Sequence, residues 1–462
     1  MVKIVFINPP RNKRKNDFIE EFKRVPLGIC QLASSTRKAG IETSIIDAQN
    51  LYLTIDETIK RIKELNSDFV AISIISDFLQ NSEILAERIR HFNPKIKIIV
   101  GGPHVSAVPE STMKDCEFFD IAVLGESDKH ILEIINNKEL SKIGGIIFRE
   151  NNKLIKTKQE NTRIKNLDTV PFPSFDLLEG FPDLYEPTPS MFKDAPSINL
   201  LTARGCLWNC SFCHQSVFGN ELSYNSPKYM VPLMNFLKTK YKVKDICFYD
   251  DVFTIPRKRT EKFCEELIRK KVNMSWSCQT RIDTLDYKLA RLMKKVGCWQ
   301  ISFGIESGSD KILEILNKKI TRQQIIRQVK EIKKSGIRVR AFFIIGSPGE
   351  TTETINETKT LIKKTKPDDI LLDFFTPMRS VKLEKEAEKF GKIKSYTNKT
   401  FQVNFIPKDL TEKKLKKEFK RIQLGFYLQP RILLYYLGLL LNPRKAKYLA
   451  KGLLTYLMIA FK

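Results

Sequence analysis

The chain lacks any run of about 18 apolar residues, the length a spanning helix needs, so nothing in it reads as a transmembrane segment. Its first ten residues carry one Lys and a short apolar run, which reads as a strand and not as a signal peptide. The nine cysteines are not spaced as a disulfide framework, and a chain of 462 residues has no need of one. The reducing cytoplasm is the expected compartment. Histidine is scarce: only His91, His104, His130 and His214 are present, and none follows the first strand. Glycine (20) and proline (21) are too few to imply a long disordered region. Acid is the minority charge, with 53 Asp plus Glu against 79 Lys plus Arg, a formal net charge of +26. That balance suits an anionic partner such as nucleic acid, a membrane surface or a phosphorylated substrate. The basic residues are scattered along the whole chain, so the plainer reading is a lysine-rich surface.

What is present is alternation. Short apolar runs at 2–7, 43–46, 69–74, 96–100 and 119–124 are separated by helical patterns at 27–37, 55–65 and 82–92. This predicts an α/β, doubly wound, Rossmann-like domain over residues 1–140, its parallel sheet covered on both faces. Ligands of such a sheet lie beyond the carboxyl ends of its strands, where Pro9, Pro10, Gly101, Gly102 and Gly125 stand. Residues 141–195 read as a connector, with a hairpin around Asn151 and Asn152 and six prolines between Pro171 and Pro196. A second alternating series predicts strands at 198–202, 245–249, 274–278, 300–303, 339–345 and 370–374, a partial (β/α)6 barrel over 196–405. Residues 406–462 read as a helical C-terminal region. There the apolar stretch from Pro430 to Leu441 and a basic helix after Asn442 suit either an interfacial position on anionic lipid or a cap on the barrel.

After the first strand of the second series comes Cys206-Leu207-Trp208-Asn209-Cys210-Ser211-Phe212-Cys213. Three thiolates at this spacing can hold three corners of an iron–sulfur cube and leave the fourth iron open. A structural zinc site normally has four protein ligands, and His214 is the one nearby group that could complete such a set. Cys30, Cys116, Cys247, Cys264, Cys278 and Cys298 show no CxxC spacing and read as buried small hydrophobes.

The segment with Cys206, Cys210, Phe212 and Cys213 resembles the signature of the radical S-adenosylmethionine superfamily. The segments 248–254, 279–283, 304–309 and 342–351 resemble further motifs of the same superfamily. The resemblance implies that the open iron of a [4Fe–4S] cluster chelates S-adenosylmethionine, whose reductive cleavage gives a 5′-deoxyadenosyl radical. It assigns Cys206, Cys210 and Cys213 to the metal, and Phe212, Asp250, Asp251, Arg281, Glu306, Ser307 and Arg340 to S-adenosylmethionine. Asp250 or Asp251 would accept from the methionyl ammonium, Glu306 would bind that ammonium or ribose hydroxyls, and Arg340, read as late in its strand, would pair with the carboxylate. For each, a structural pair at a strand end is the alternative. Gly304 and Gly346 would allow close backbone approach.

The N-terminal region resembles the cobalamin-binding domain that precedes many such barrels. Pro9, Ser73, Ser76, Gly101, Gly102, His104, Gly125 and Glu126 are its candidate cobalamin contacts. The DxHxxG motif that supplies a histidine below cobalt in other cobalamin proteins is absent, so the lower face of cobalt would be open or held by water. The alternative is a doubly wound domain without its cofactor, in which His104 is a loop hydrogen-bonder.

The resemblance implies a cobalamin-dependent methyltransferase acting on an unactivated carbon. The alternative is a radical cyclase or oxidoreductase acting on a tetrapyrrole or lipid-like substrate. A methylthiotransferase would need three further cluster cysteines before the barrel, where only Cys30 and Cys116 stand. The implied partners are a small-molecule or lipid-like substrate and an electron donor such as flavodoxin or ferredoxin. Peripheral membrane contact would come through the C-terminal tail, and nucleic acid is not expected.

Overall fold

The computed structural model of the chain describes residues 2–11, 23–160, 162–187, 190–396, 402–443 and 445–446. The first sheet has seven strands: β1 (Lys3–Asn8), β2 (Glu42–Asp47), β3 (Phe69–Ser73), β4 (Lys97–Gly101), β5 (Ile121–Val123), β6 (Ile146–Glu150) and β7 (Lys153–Lys156), in the order β2-β1-β3-β4-β5-β6-β7. The first five are parallel, and β6 and β7 add antiparallel. Alternate residues go to opposite faces of a strand. Accordingly Val5, Ile7, Val70 and Ile72 enter one apolar cluster, while Ile4, Phe6, Ala71 and Ile99 enter another. Both faces are thus covered, as the continuous apolar runs predict. The hairpin around Asn151 and Asn152 belongs to this sheet, which therefore reaches Lys156 and takes in the start of the expected connector. Both asparagines adopt positive φ (49° and 60°), as a two-residue hairpin turn requires.

The second sheet is built from β8 (Ser197–Leu200), β11 (Asp245–Phe248), β12 (Ser275–Thr280), β13 (Cys298–Glu306), β14 (Arg338–Ile345) and β15 (Asp369–Phe374). Two short strands, β9 (Ala203–Arg204) and β10 (Ser223–Tyr224), pair with each other between β8 and β11. The six strands are parallel and lie in chain order, with β8 and β15 unpaired at the two ends. This is the expected open partial barrel. Val339, Ala341, Phe343 and Ile345 of β14 join the main apolar core, and the residues between them face the lumen. The helix Pro227–Tyr241 has no counterpart in the sequence reading; it starts on a Ser226 cap and accommodates Pro232.

The two domains are fastened directly. Val25 and Asn199 exchange two hydrogen bonds, and Cys30 accepts from the Ser174 amide. The helix Pro430–Leu440 packs its Tyr435 ring 3.5 Å from the Arg338 guanidinium, and Tyr436 bonds Asp369, so the described part of the tail caps the barrel. Its other side leaves Leu433, Leu434, Leu437, Leu440 and Leu441 exposed. The basic helix expected to follow lies almost wholly outside the described residues. Among these, no helix is long and apolar enough to cross a membrane.

Candidate functional site

The cluster loop leaves β9 at Gly205, whose φ of +88° only glycine adopts readily. A Cβ there would lie 1.9 Å from the Glu221 carbonyl oxygen. The loop is then tied to its surroundings. Gln215 donates to the carbonyls of Cys206 (3.2 Å) and Trp208 (2.7 Å). Ser211 bonds the Leu316 and Ile315 carbonyls, and Asn317 donates to Asn209 at 2.6 Å. All three cysteines are free. Loss of hydration raises the thiols of Cys206 and Cys213, the latter to about 12, with further contributions from Asp251 and the neighbouring sulfurs. Asp251 and the three sulfurs therefore lie within electrostatic reach of one another. Among the described residues, no three His, Cys, Asp or Glu side chains converge on one ion. Three thiolates from one loop suit a cube, which takes each on a different iron, and the Nδ1 of His214, the group that could complete a zinc set, bonds Ser216. The donor set therefore fits the cluster.

Arg281 is a near neighbour. Its guanidinium reaches the Cys210 sulfur at 3.8 Å, stacks 4.7 Å from the Trp208 ring, and is fixed by Asp283 and the Lys318 carbonyl. Hydrogen bonds to cluster sulfurs tune reduction potential, and Arg281 is placed beside the cysteine loop where such a bond would form. Glu306 is buried with φ of +68° and pairs with buried Lys318 at 2.7 Å. Lys318 also lies over the Phe212 ring. A Cβ on Gly304 would lie 2.4 Å from the Glu306 carboxylate, so this glycine makes room for the pair.

Asp250 and Asp251 part company. Asp250 is fully buried and accepts from the Thr202 amide (2.5 Å), the Thr202 hydroxyl (2.6 Å) and the Ala203 amide (3.1 Å), with Arg259 at 3.7 Å. It braces the start of the cluster loop. Asp251 is exposed and sits near Cys206 and Cys213. Ser307 is buried and tied to Thr358 and the Ser309 amide. Arg340 is corrected: it is the third of eight residues in β14, not late in the strand. At about 3.3 Å per residue it lies roughly 16 Å below the strand's carboxyl end. Its partner is Asp369, at 3.3 Å.

On the other side, a cavity of about 1040 Å³ opens between the domains. It stands just above the usual range for small-molecule pockets. Ser73, Gly101, Gly102, Gly125 and Glu126 line it from the first sheet, and Leu201, Tyr249, Gln279 and Phe342 from the barrel. Gly102 has φ of +98°, and a Cβ there would approach the Ile74 backbone to 3.0 Å. This is a backbone cradle at the strand ends of the kind a large cofactor needs, so the residues fit cobalamin. Pro9, Ser76 and His104 are not among the lining residues; Ser76 and His104 bond each other at 2.9 Å, and Pro9 is buried. His130 is also spoken for, its Nδ1 bonding the Glu126 carbonyl at 3.0 Å.

The residue that sequence reading missed is Arg204. It is nearly buried and pairs with Glu126 and, at 3.0 Å, with Asp128, so it ties the cofactor domain to the strand that enters the cluster loop. Its position two residues before Cys206 was the available signal; its partners, 76 and 78 residues earlier, gave none.

Comparison with known proteins agrees with this geometry. The profile of the Radical SAM superfamily matches residues 200–362, and that of the B12 binding domain matches residues 21–135. An uncharacterized methyltransferase from Pyrococcus horikoshii is 31% identical over 450 residues, 94% of each chain. The anaerobic magnesium-protoporphyrin IX monomethyl ester cyclase of Rubrivivax gelatinosus is 28% identical, over 81% of this chain and 68% of its own. The structure of the cobalamin-dependent S-adenosylmethionine radical enzyme OxsB superposes with a TM-score of 0.76 at 16% identity, covering all of this chain and 72% of that one. With three cysteines on the loop between β9 and β10 and a strand-end cradle on a cavity that opens into the barrel, this chain belongs to the radical S-adenosylmethionine superfamily, in the group whose barrel follows a B12-binding domain.

Proposed function

We propose that this enzyme transfers a methyl group to an unactivated carbon of a small or lipid-like molecule. The observation that carries the reading is the single cavity shared by the cobalamin cradle and the barrel lumen. A substrate in the lumen would face both cofactors without leaving the protein. When bound, the cluster and S-adenosylmethionine supply hydrogen-atom abstraction, and cobalamin supplies a methyl group.

The chain's own residues hold these groups in place. Cys206, Cys210 and Cys213 hold the cluster, and Arg281 donates toward one of its sulfurs. Phe212, Asp251 and Glu306 are the S-adenosylmethionine contacts, with Lys318 fixing Glu306 and Asp250 fixing the loop. Ser73, Gly101, Gly102 and Gly125 receive cobalamin. Among the described residues that line the cavity there is no histidine. The reducing electron comes from a flavodoxin- or ferredoxin-like donor.

The test uses S-adenosylmethionine carrying a labelled methyl group, given with the anaerobically reconstituted protein to an extract of cells lacking the gene. Methylation yields a labelled product one CH₂ heavier, together with S-adenosylhomocysteine and 5′-deoxyadenosine. Formation of 5′-deoxyadenosine with no label in any product would overturn the methylation reading, and an unlabelled product lighter by hydrogen would instead support the second reading. That reading, a radical cyclase, is favoured by the likeness to the Rubrivivax enzyme. The exposed leucines of the helix Pro430–Leu440 add peripheral membrane contact to the proposal. Leu434→Glu with Leu437→Glu should then release the protein from anionic liposomes; equal pelleting of the variant would end that part of it.

A further inference from the structure

The lumen of the barrel holds more cationic and unsatisfied polar groups than its structural role requires. Arg340 is about 7% exposed and points into the lumen, yet its Nη1 has no hydrogen-bond partner. Asp369 balances its charge only in part, since the same carboxylate accepts from Tyr427 and Tyr436, each at 3.3 Å. A second cation arrives from the other domain. Arg24 lies 5.2 Å from the centre of the Tyr249 ring, and its neighbouring backbone is fixed by Asn50 and Asn199. Among the described residues it has no carboxylate partner. One level deeper, Ser277 Oγ and Gln300 Oε1 are buried without partners as well.

Arg24, Tyr249, Gln279 and Arg340 all line the shared cavity. The acidic groups along it, Asp77, Glu126 and Asp128, all belong to the first domain, and the last two are held by Arg204. The walls beside the two arginines are apolar, from Met191, Leu201, Phe342 and Leu371. A buried guanidinium with an unmet N–H carries a free-energy penalty that a carboxylate or phosphate removes, because two of its oxygens match the guanidinium fork.

We propose that Arg340 and Arg24 form a recognition site for an anionic group, a carboxylate or a phosphate, at one end of a largely apolar substrate. The inference rests on the reading of the lumen as the substrate chamber, and it adds the class of molecule that enters. The anion would lie deep in the barrel, and the apolar body would extend past Phe342 and Leu201 toward the cofactors.

The experiment uses full-length protein loaded with cluster, cobalamin and S-adenosylmethionine, so that the anionic groups of the cofactors are already accommodated. Binding of benzoate, phenyl phosphate and the neutral analogue benzamide is measured by calorimetry. The expected result is saturable binding of at least one anion and none of benzamide, weakened about tenfold or more in Arg340→Gln and in Arg24→Gln. Preference for benzoate identifies a carboxylate end, and preference for phenyl phosphate a phosphate end. Each variant is first matched to the parent in iron and cobalamin content. Should Arg340→Gln fail that match, Arg340→Lys replaces it; it keeps the charge but loses the fork, and it should also weaken binding. Anion binding unchanged in the variants, benzamide binding as well as benzoate, or no binding of any probe would each overturn the proposal. Cobalamin content and methyl-label transfer are separate readouts, so failure of the methylation reading is distinguishable from failure of this one.

Discussion

The two sheets of this protein treat their faces in opposite ways. In the first, β1 and β3 send Val5, Ile7, Val70 and Ile72 to one side and Ile4, Phe6 and Ala71 to the other, and both sides are packed. Packing on both sides leaves the carboxyl ends of the strands as the place where this sheet opens to the cavity. In the second, β12 to β14 pack one side with Trp276, Ile301, Phe303, Val339 and Phe343 and leave Ser277, Gln279, Ser302 and Arg340 on the other. That inner face contributes little apolar burial and is free to surround a substrate. The comparison separates a sheet that displays chemistry at its rim from one that encloses it.

The largest effect should fall on the rim of the enclosing sheet. Cys206→Ala, Cys210→Ala or Cys213→Ala should each abolish S-adenosylmethionine cleavage, a loss beyond the roughly 10–100-fold typical of an outer-shell partner. Iron content and 5′-deoxyadenosine yield after anaerobic reconstitution check this. Retained cleavage in any one of them would contradict the assignment. Next comes the tie between the two sheets. Arg204→Ala leaves Glu126 and Asp128 nearly buried without their cation, and breaking a pair of this kind costs about 3–5 kcal/mol. Thermal unfolding should show the loss, and a parent-like midpoint would mean that the domains are held by other contacts.

The comparison itself is tested by a pair of smaller changes. Ile72→Ala, on the doubly packed sheet, should cost about 2–5 kcal/mol. Ser277→Ala, on the inner face of the barrel, removes a hydroxyl with no hydrogen-bond partner and should change stability by less than about 0.5 kcal/mol. Equal costs in chemical denaturation would erase the distinction. The smallest effect is a slope. Glu350 is buried at the end of the barrel sheet, and loss of hydration raises its carboxyl from 4.5 to about 8, against lowering by the Gly346 and Ser347 amides. Between those values the folded protein keeps a proton that the unfolded chain releases. Stability should therefore fall as pH rises from 4.5 to 8, by up to about 1.4 kcal/mol per pH unit from this group. Glu350→Gln should flatten that slope; an unchanged slope would show that Glu350 does not titrate in this range.

Much of this molecule is readable along the chain. The alternation of apolar runs and helical patterns sets both sheets, because burial on two faces demands uninterrupted Val, Ile and Leu. The spacing of Cys206, Cys210 and Cys213 is local, so these candidate cluster ligands are proposed without a fold. Local pattern was less informative for the hairpin at Asn151 and Asn152: it marked the turn but not the sheet that the hairpin would join. Asp250 and Asp251 are adjacent and alike in sequence, yet one braces the loop and the other opens toward the cysteines. Only the direction in which each leaves the end of β11 distinguishes them.

The sequence by itself determined the two-domain α/β order, the six barrel strands, the spacing of the three cysteines and the glycines at the strand ends, since each depends on residues close in the chain. The tertiary structure alone decided which side chains meet across long separations. It placed Arg204 against Glu126 and Asp128, turned Arg340 toward Asp369 and away from the strand ends, and brought Arg24 over Tyr249 in another domain. The reason is physical: a charged side chain in a low-dielectric interior is held by partners in space, and no periodicity or spacing in the chain records who those partners are.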